Sequence, residues 1–246
     1  QPGYTGGCNN GSVRDYFADV SGGLLDLTHE VTVQYYRAAH PKTWYEDPNQ
    51  SQGWRARLLV TEALEDLERR GFDFSRHDAN GDGYVDLVSL FYAGNPTWSW
   101  GVGLWPQAGP IGFRADGVTA RIWQVSPIGE GLTLGLPCHE IGHALLQWDD
   151  LYDTGGDSWG VGLNCIMSNP TANTNPLHPC GPLKMKVGWT ENVLLDGVML
   201  DQVSVAGDNR VFIRTHPLVE QELYVVENRH RSGRDASLPD EGVAPD

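Results

Sequence analysis

The chain has 246 residues, 40% of them hydrophobic, which is enough for one large domain or two tightly joined lobes. Its 32 acidic and 17 basic side chains give a formal net charge of −15, which argues against nucleic acid and anionic membranes as partners. There is no run of about 18 apolar residues, so we expect no membrane insertion.

Predicted helices and strands alternate through the first 148 residues, and an irregular stretch then leads into further strands. Helices are predicted where apolar residues recur every three to four positions, and strands where β-branched and aromatic residues dominate. The predicted elements are a helix over 12–20 capped by Ser12, a strand or hairpin over 24–36, a helix over 54–70, a buried strand over 84–93, a loop over 94–117, a strand over 118–125, a helix over 133–148, an irregular stretch over 149–182, a short helix over 182–188 and several strands within 193–229. An irregular stretch as long as 149–182 is typical of a functional loop region.

A metal-binding motif, H-E-x-x-H, lies in the helix predicted over 133–148. His139 and His143 are four residues apart, so both imidazoles face one point on a helix. Zinc accepts neutral imidazole nitrogens and lowers the pKa of a bound water toward about 7, and Glu140 can take a proton from that water. The competing interpretation is a helix whose histidines only cap it or fill a core.

The third ligand distinguishes the types of zinc peptidase. No Glu occurs between Glu140 and Glu191, which disfavours the thermolysin-like arrangement with a Glu from a following helix. Metzincins instead continue as H-E-x-x-H-x-x-G-x-x-H or D. Counting along that pattern puts Leu146 at the glycine position and Asp149 at the ligand position, with Asp150 directly after it.

Two further motifs follow the histidines, D-L-Y-D at 150–153 and N-C-I-M-S at 164–168. They resemble the immune inhibitor A-type zinc metallopeptidases, whose motif reads H-E-F-G-H-x-L-G-L-P-D-L-Y-D and is followed by a Met-turn. Other stretches that resemble landmarks of this family cover nearly the whole chain: 12–17, 23–27, 71–74, 182–189 and 224–229. By this resemblance Met167 is expected beneath the metal, in a structural role.

Aligning the chain on D-L-Y-D requires one extra residue after His143. Leu146 resists the left-handed conformation that the family's glycine allows, so we expect the helix to run slightly further before it turns. Asp150 is therefore the preferred third ligand. Asp149 stays open as the alternative, and its competing interpretations are a hydrogen bond to a ligating histidine or exposure to solvent.

The resemblance implies an α+β fold, a metzincin-like catalytic domain over residues 1–246. Residues 1–148 are expected to form an N-terminal lobe with a mixed sheet and the active-site helix. Residues 149–246 are expected to form an irregular lobe with C-terminal strands. Tyr152 is close enough to the metal in sequence to contact substrate or to orient a ligand, and we assign it no proton chemistry.

A second metal site is predicted in an Asp/Asn-rich loop before the strand at 84–93. Oxygen donors are spaced there as at the start of an EF-hand loop, with Gly83 at the sharp turn. The predicted calcium ligands are Asp78, Asn80, Asp82, Tyr84 through its carbonyl, and Asp86. Ser89 occupies the position of the closing Glu, so a structural Ca²⁺ would need ligands from elsewhere. The alternative is a simple Asp/Asn/Gly turn.

The four cysteines, Cys8, Cys138, Cys165 and Cys180, contain no C-x-x-C pair and suggest two disulfides in an exported protein. Three connectivities are possible. We favour Cys165 with Cys180, because they flank one irregular stretch, and that choice would leave Cys8 with Cys138.

The sequence therefore predicts a secreted, monomeric zinc endopeptidase that acts on proteins or peptides, with Ca²⁺ as a structural ion. One alternative is a peptidase directed at glycoproteins or mucins through a sugar-reading cleft. The other is a catalytically silent, metal-braced binding module.

Overall fold

The computed structural model describes residues 9–50, 53–98, 101–129, 132–168, 174–195, 209–216, 218–219 and 222–239. The described part is a mixed α/β structure with two sheets, in agreement with the predicted α+β class. None of its helices is both long and apolar enough to cross a membrane. The helices and strands are α1 (Val13–Val20), α2 (Lys42–Tyr45), α3 (Trp54–Arg69), β1 (Tyr84–Val85), β2 (Val88–Tyr92), β3 (Gln107–Ala115), β4 (Val118–Pro127), α4 (Gly135–Leu146), α5 (Gly181–Lys186), β5 (Glu191–Leu194), β6 (Arg210–Thr215) and β7 (Leu223–Val226).

The chain divides into two compact units. One comprises His29–Gln147, and the other combines Gln1–Thr28 with Trp148–Asp246. The first 28 residues therefore group with the C-terminal half of the chain, and the boundary at Gln147 follows directly on α4.

The sheet of the unit His29–Gln147 is built around β4. Strand β3 runs antiparallel along one edge of β4, and β1 and β2 follow one another in parallel along the other. Since β4 has neighbours on both edges, most of its side chains are buried, and even Gln124 and Ser126 are inaccessible to solvent. The Ser126 hydroxyl donates to Gln124 Oε1 at 2.8 Å, whereas Gln124 Nε2 is buried without a hydrogen-bond partner among the described residues.

Helices α3 and α4 pack against this sheet, and both contact β3. Helix α3 presents Ala56, Val60 and Leu64 to a core that includes Trp123 of β4. The predicted helix over 54–70 and the predicted strand over 118–125 are thus both present. The predicted strand over 84–93 is divided into β1 and β2, which lie end to end on β4.

The predicted loop over 94–117 is wrong in its second half, because β3 occupies Gln107–Ala115. Asp116 and Gly117 join β3 to β4 with φ angles of 49° and 80°, both in the left-handed region. A two-residue connection with positive φ at both positions matches the right-handed twist of antiparallel strands. The dipeptide Asp116-Gly117 is the local signal that would have identified this hairpin.

The other unit contains α1, α5 and the sheet β5-β6-β7. Helix α1 begins where predicted, because Ser12 and Asp15 form a reciprocal capping box. Tyr16 of α1 is fully buried, and its hydroxyl donates to the carbonyl of Leu177 at 2.8 Å. Strand β6 is the middle strand, parallel to β5 and antiparallel to β7, so the strands expected within 193–229 are present.

The strand or hairpin predicted over 24–36 is wrong. No residue of that stretch is in a strand or helix, although Val31, Val33 and Tyr35 alternate as a strand would require. These three side chains are 84%, 102% and 97% exposed. An alternating pattern forms a strand only where a neighbouring strand takes up its backbone hydrogen bonds.

Candidate metal centre

Helix α4 carries the H-E-x-x-H motif inside the unit His29–Gln147. It packs against β3 and β4, and eight of its twelve residues are buried. His139 is 4% exposed and Glu140 5% exposed. The helix ends where Gln147 takes a left-handed conformation, with φ 53° and ψ 38°, and donates its N–H to the carbonyl of Gly142.

The two motif histidines converge. His139 Nε2 and His143 Nε2 lie 3.0 Å apart, and the rings meet edge to face with centroids 4.6 Å apart. Two nitrogens bound to one tetrahedral zinc at about 2.0–2.1 Å stand about 3.3 Å from each other. The observed separation is therefore close to what a shared metal ion requires.

The turn after α4 distinguishes the two candidate aspartates. Trp148 is 1% exposed, its indole N–H donates to the carbonyl of Leu183 at 3.0 Å, and its ring packs edge to face on Trp189. The next residue, Asp149, points outward, with its side chain 82% exposed and its Oδ2 3.1 Å from Lys186 Nζ. Asp150, the residue after it, is half-buried.

Asp150 is the aspartate whose carboxylate lies close to the two histidines. Its carboxylate and the ring nitrogens of His139 and His143 offer three ligand atoms within 4.8 Å of one another. This is the one group of three His, Cys, Asp or Glu side chains with that proximity in the described part of the chain, and it can hold a metal ion. All three residues come from one continuous segment of twelve residues.

The D-L-Y-D segment is held by backbone hydrogen bonds on both sides of Leu151. Its N–H donates to the carbonyl of Met167 at 2.9 Å, and its C=O accepts from the N–H of Val161 at 3.0 Å. Met167 is completely buried. The methionine of the expected Met-turn is therefore tied by its main chain to the residue that follows Asp150, a link that the sequence did not predict.

The predicted calcium loop closes on itself through side-chain-to-backbone hydrogen bonds. The Asp78 carboxylate accepts from the N–H groups of Asp82 and Gly83 at 3.0 and 2.8 Å, and Asp82 Oδ1 accepts from the N–H of Tyr84 at 3.0 Å. Asn80 and Asp86 accept loop N–H groups in the same way. The carboxylates of Asp78, Asp82 and Asp86 do not all lie within 4.8 Å of one another, as the ligand atoms of His139, His143 and Asp150 do. The calcium site stays a prediction.

The predicted Cys165–Cys180 disulfide is not present, and both residues are free thiols. They are nevertheless neighbours, since Cys165 Sγ accepts the N–H of Cys180 at 3.3 Å. A hydrogen bond from the Cys180 thiol lowers the pKa of Cys165 to about 7. Cys138 is buried in α4, and its predicted partner Cys8 lies outside the described residues.

A buried charged network near α5 was not predicted. Lys184 is 7% exposed, and its ammonium contacts His178 Nδ1 at 3.0 Å and Asn209 Oδ1 at 2.9 Å. Asp235 is 5% exposed and forms an ion pair with Arg229. Nothing in the local sequence marks these residues as buried, because charged side chains are rarely buried unless they are paired.

The structure brings together three residues of the H-E-x-x-H and D-L-Y-D motifs, His139, His143 and Asp150. Comparison of the chain with protein-family models and with curated proteins gives no match.

Proposed function

We propose that this protein is an exported zinc-dependent endopeptidase with a metzincin-like catalytic site. The observation that carries the proposal is the approach of two histidine nitrogens and one carboxylate within 4.8 Å, beside the buried Glu140. Two imidazoles and a carboxylate are a donor set that zinc accepts, and three protein ligands leave a fourth position for water, as in catalytic zinc sites.

The residues of the site would be three ligands and one general base. His139, His143 and Asp150 would hold the ion. A bound zinc ion would supply Lewis acidity that polarises the scissile carbonyl and lowers the pKa of water toward about 7. Glu140 would accept a proton from the attacking water and pass it to the departing amine.

A structural Ca²⁺ in the loop at 78–86 is the second part of the proposal. Its support is the chemistry of the donors, since carboxylate, amide and carbonyl oxygens are the ligands that calcium takes. Gly83, with φ 86°, also allows the sharp turn that such loops need. This ion would brace the loop between α3 and β1 and would have no part in hydrolysis.

The substitution Glu140→Ala tests the mechanism. We expect the variant to keep zinc at the wild-type stoichiometry and to lose nearly all activity against a denatured protein substrate. A positioned general base contributes typically 100- to 10,000-fold, so the loss should be at least about 100-fold. Metal analysis and proteolysis, with and without a chelator, are measured on the same preparations.

Asp149→Ala is the matched control, because Asp149 is the exposed neighbour that pairs with Lys186. It should retain both zinc and activity. Full activity of Glu140→Ala with bound zinc would contradict the assigned mechanism. A wild-type protein that binds zinc but cleaves neither bare nor glycosylated substrates would favour the silent binding module.

A further inference from the structure

We propose that Tyr152 is a positioning residue that orients the Asp150 carboxylate for metal binding. This inference rests on the metal centre of the proposed function and assigns a role to a side chain outside the set of ligands. The Tyr152 hydroxyl donates to Asp150 Oδ2 at 2.7 Å.

The hydrogen bond restricts the rotation of the carboxylate. A carboxylate has two oxygens that rotate together about one bond, so holding Oδ2 also fixes the direction of Oδ1, which is itself buried. Hydrogen-bonded partners of this kind are common around ligating carboxylates.

The main chain next to Tyr152 is restrained by hydrogen bonds. Leu151, the residue between Asp150 and Tyr152, has its N–H bonded to Met167 and its C=O bonded to Val161. Both side chains therefore leave one short, restrained piece of main chain. The spacing D-x-Y thus encodes a ligand and its positioning residue together.

The substitution Tyr152→Phe removes the hydroxyl and leaves the ring. We expect the dissociation constant for Zn²⁺, measured by competition with a chromogenic chelator, to rise by about 10- to 100-fold. The unfolding midpoint of the metal-free protein should stay near that of the wild type. Tyr35→Phe, at a residue that is 97% exposed, is the control and should change neither quantity.

A double-mutant cycle shows whether Tyr152 acts through Asp150. In an Asp150→Ala background, Tyr152→Phe should change Zn²⁺ affinity by less than about twofold, because the carboxylate that it orients is gone. Three results would overturn the inference: unchanged affinity of Tyr152→Phe, an equal loss in both backgrounds, or a loss that parallels a fall in metal-free stability.

The zinc measurement separates this inference from the proposed activity. A wild-type protein that binds zinc but hydrolyses nothing would contradict the peptidase and leave the role of Tyr152 intact. A wild-type protein that fails to bind zinc would overturn both.

Discussion

Gln147 is the residue at which the chain turns after α4. It is one of three non-glycine residues with positive φ in the described chain, and it is the residue at which α4 ends. The metzincin pattern has a glycine at the position of Leu146, and here Leu146 is still helical. The left-handed residue comes one position later, and the aspartate whose carboxylate lies within 4.8 Å of the histidine nitrogens is Asp150.

Gln147→Gly should stabilise the protein. The left-handed conformation costs a residue with a Cβ about 1–2 kcal/mol. Glycine adopts it without that steric cost, but glycine loses more conformational entropy on folding. We expect a net gain of up to about 1 kcal/mol in the free energy of unfolding. Urea unfolding of metal-free protein in a Glu140→Ala background, which prevents self-digestion, measures it.

Gln147→Ala is the control for loss of the Gln side chain, because alanine keeps the Cβ and therefore the strain. It should be no more stable than the wild type. A glycine variant that is no more stable than the alanine variant would show that the conformation at residue 147 stores no strain.

At the scale of elements, the segment that carries Asp150 depends on a close approach by Gly160. A Cβ at Gly160 would lie 2.1 Å from the carbonyl oxygen of Leu151, and the backbone there has φ 55°. Gly162 has nearly the same φ, 56°, but a Cβ there would meet nothing within 4 Å. The two glycines share the same backbone conformation and differ in the contact.

Gly160→Ala should therefore cost more than Gly162→Ala. The left-handed backbone alone costs about 1 kcal/mol, and we expect Gly162→Ala to lose about that amount in the free energy of unfolding. Gly160→Ala should lose more and should also weaken Zn²⁺ binding, because the clash displaces Leu151 beside Asp150. Equal stability and equal Zn²⁺ affinity in the two variants would contradict this account.

Elements with strong local signals were predictable, and those that depend on distant partners were not. The helix over 54–70 and the Ser12 cap carry their own periodicity and capping chemistry. The stretch 24–36 has the alternation of a strand, but whether a neighbouring strand pairs with it is not encoded locally. The H-E-x-x-H spacing likewise predicts the histidine pair, and alignment on D-L-Y-D favours Asp150 over Asp149. The left-handed conformation of Gln147 and the burial of Trp148 are not encoded in either motif.

At the scale of the whole molecule, the chain is strongly acidic, yet two cationic side chains are buried in one of its units. The formal net charge is −15, yet Lys184 and Arg234 are 7% and 5% exposed. Since an ammonium can only donate, His178 Nδ1 accepts from Lys184, and the neutral ring carries its proton on Nε2. The stability of this unit therefore depends on His178 being neutral.

Acidification should destabilise the protein through His178. Burial, and then the charge of Lys184, lower the pKa of His178 from 6.5 to about 4. Between those values the unfolded chain binds a proton that the folded chain does not, so this contribution to stability is lost as pH falls from 6.5 toward 4. One such proton corresponds to a slope of up to about 1.4 kcal/mol per pH unit.

The substitution His178→Asn keeps an acceptor for Lys184 and removes the titrating ring. We expect the free energy of unfolding of the metal-free protein, measured in urea at pH 6.5, 5.5 and 4.5, to depend less steeply on pH in this variant than in the wild type. His230→Asn, at an exposed histidine near the same network, controls for loss of an imidazole and should keep the wild-type slope. Identical slopes in the wild type and His178→Asn would mean that folding does not hold His178 in its neutral form, and that the pH response of the molecule arises elsewhere.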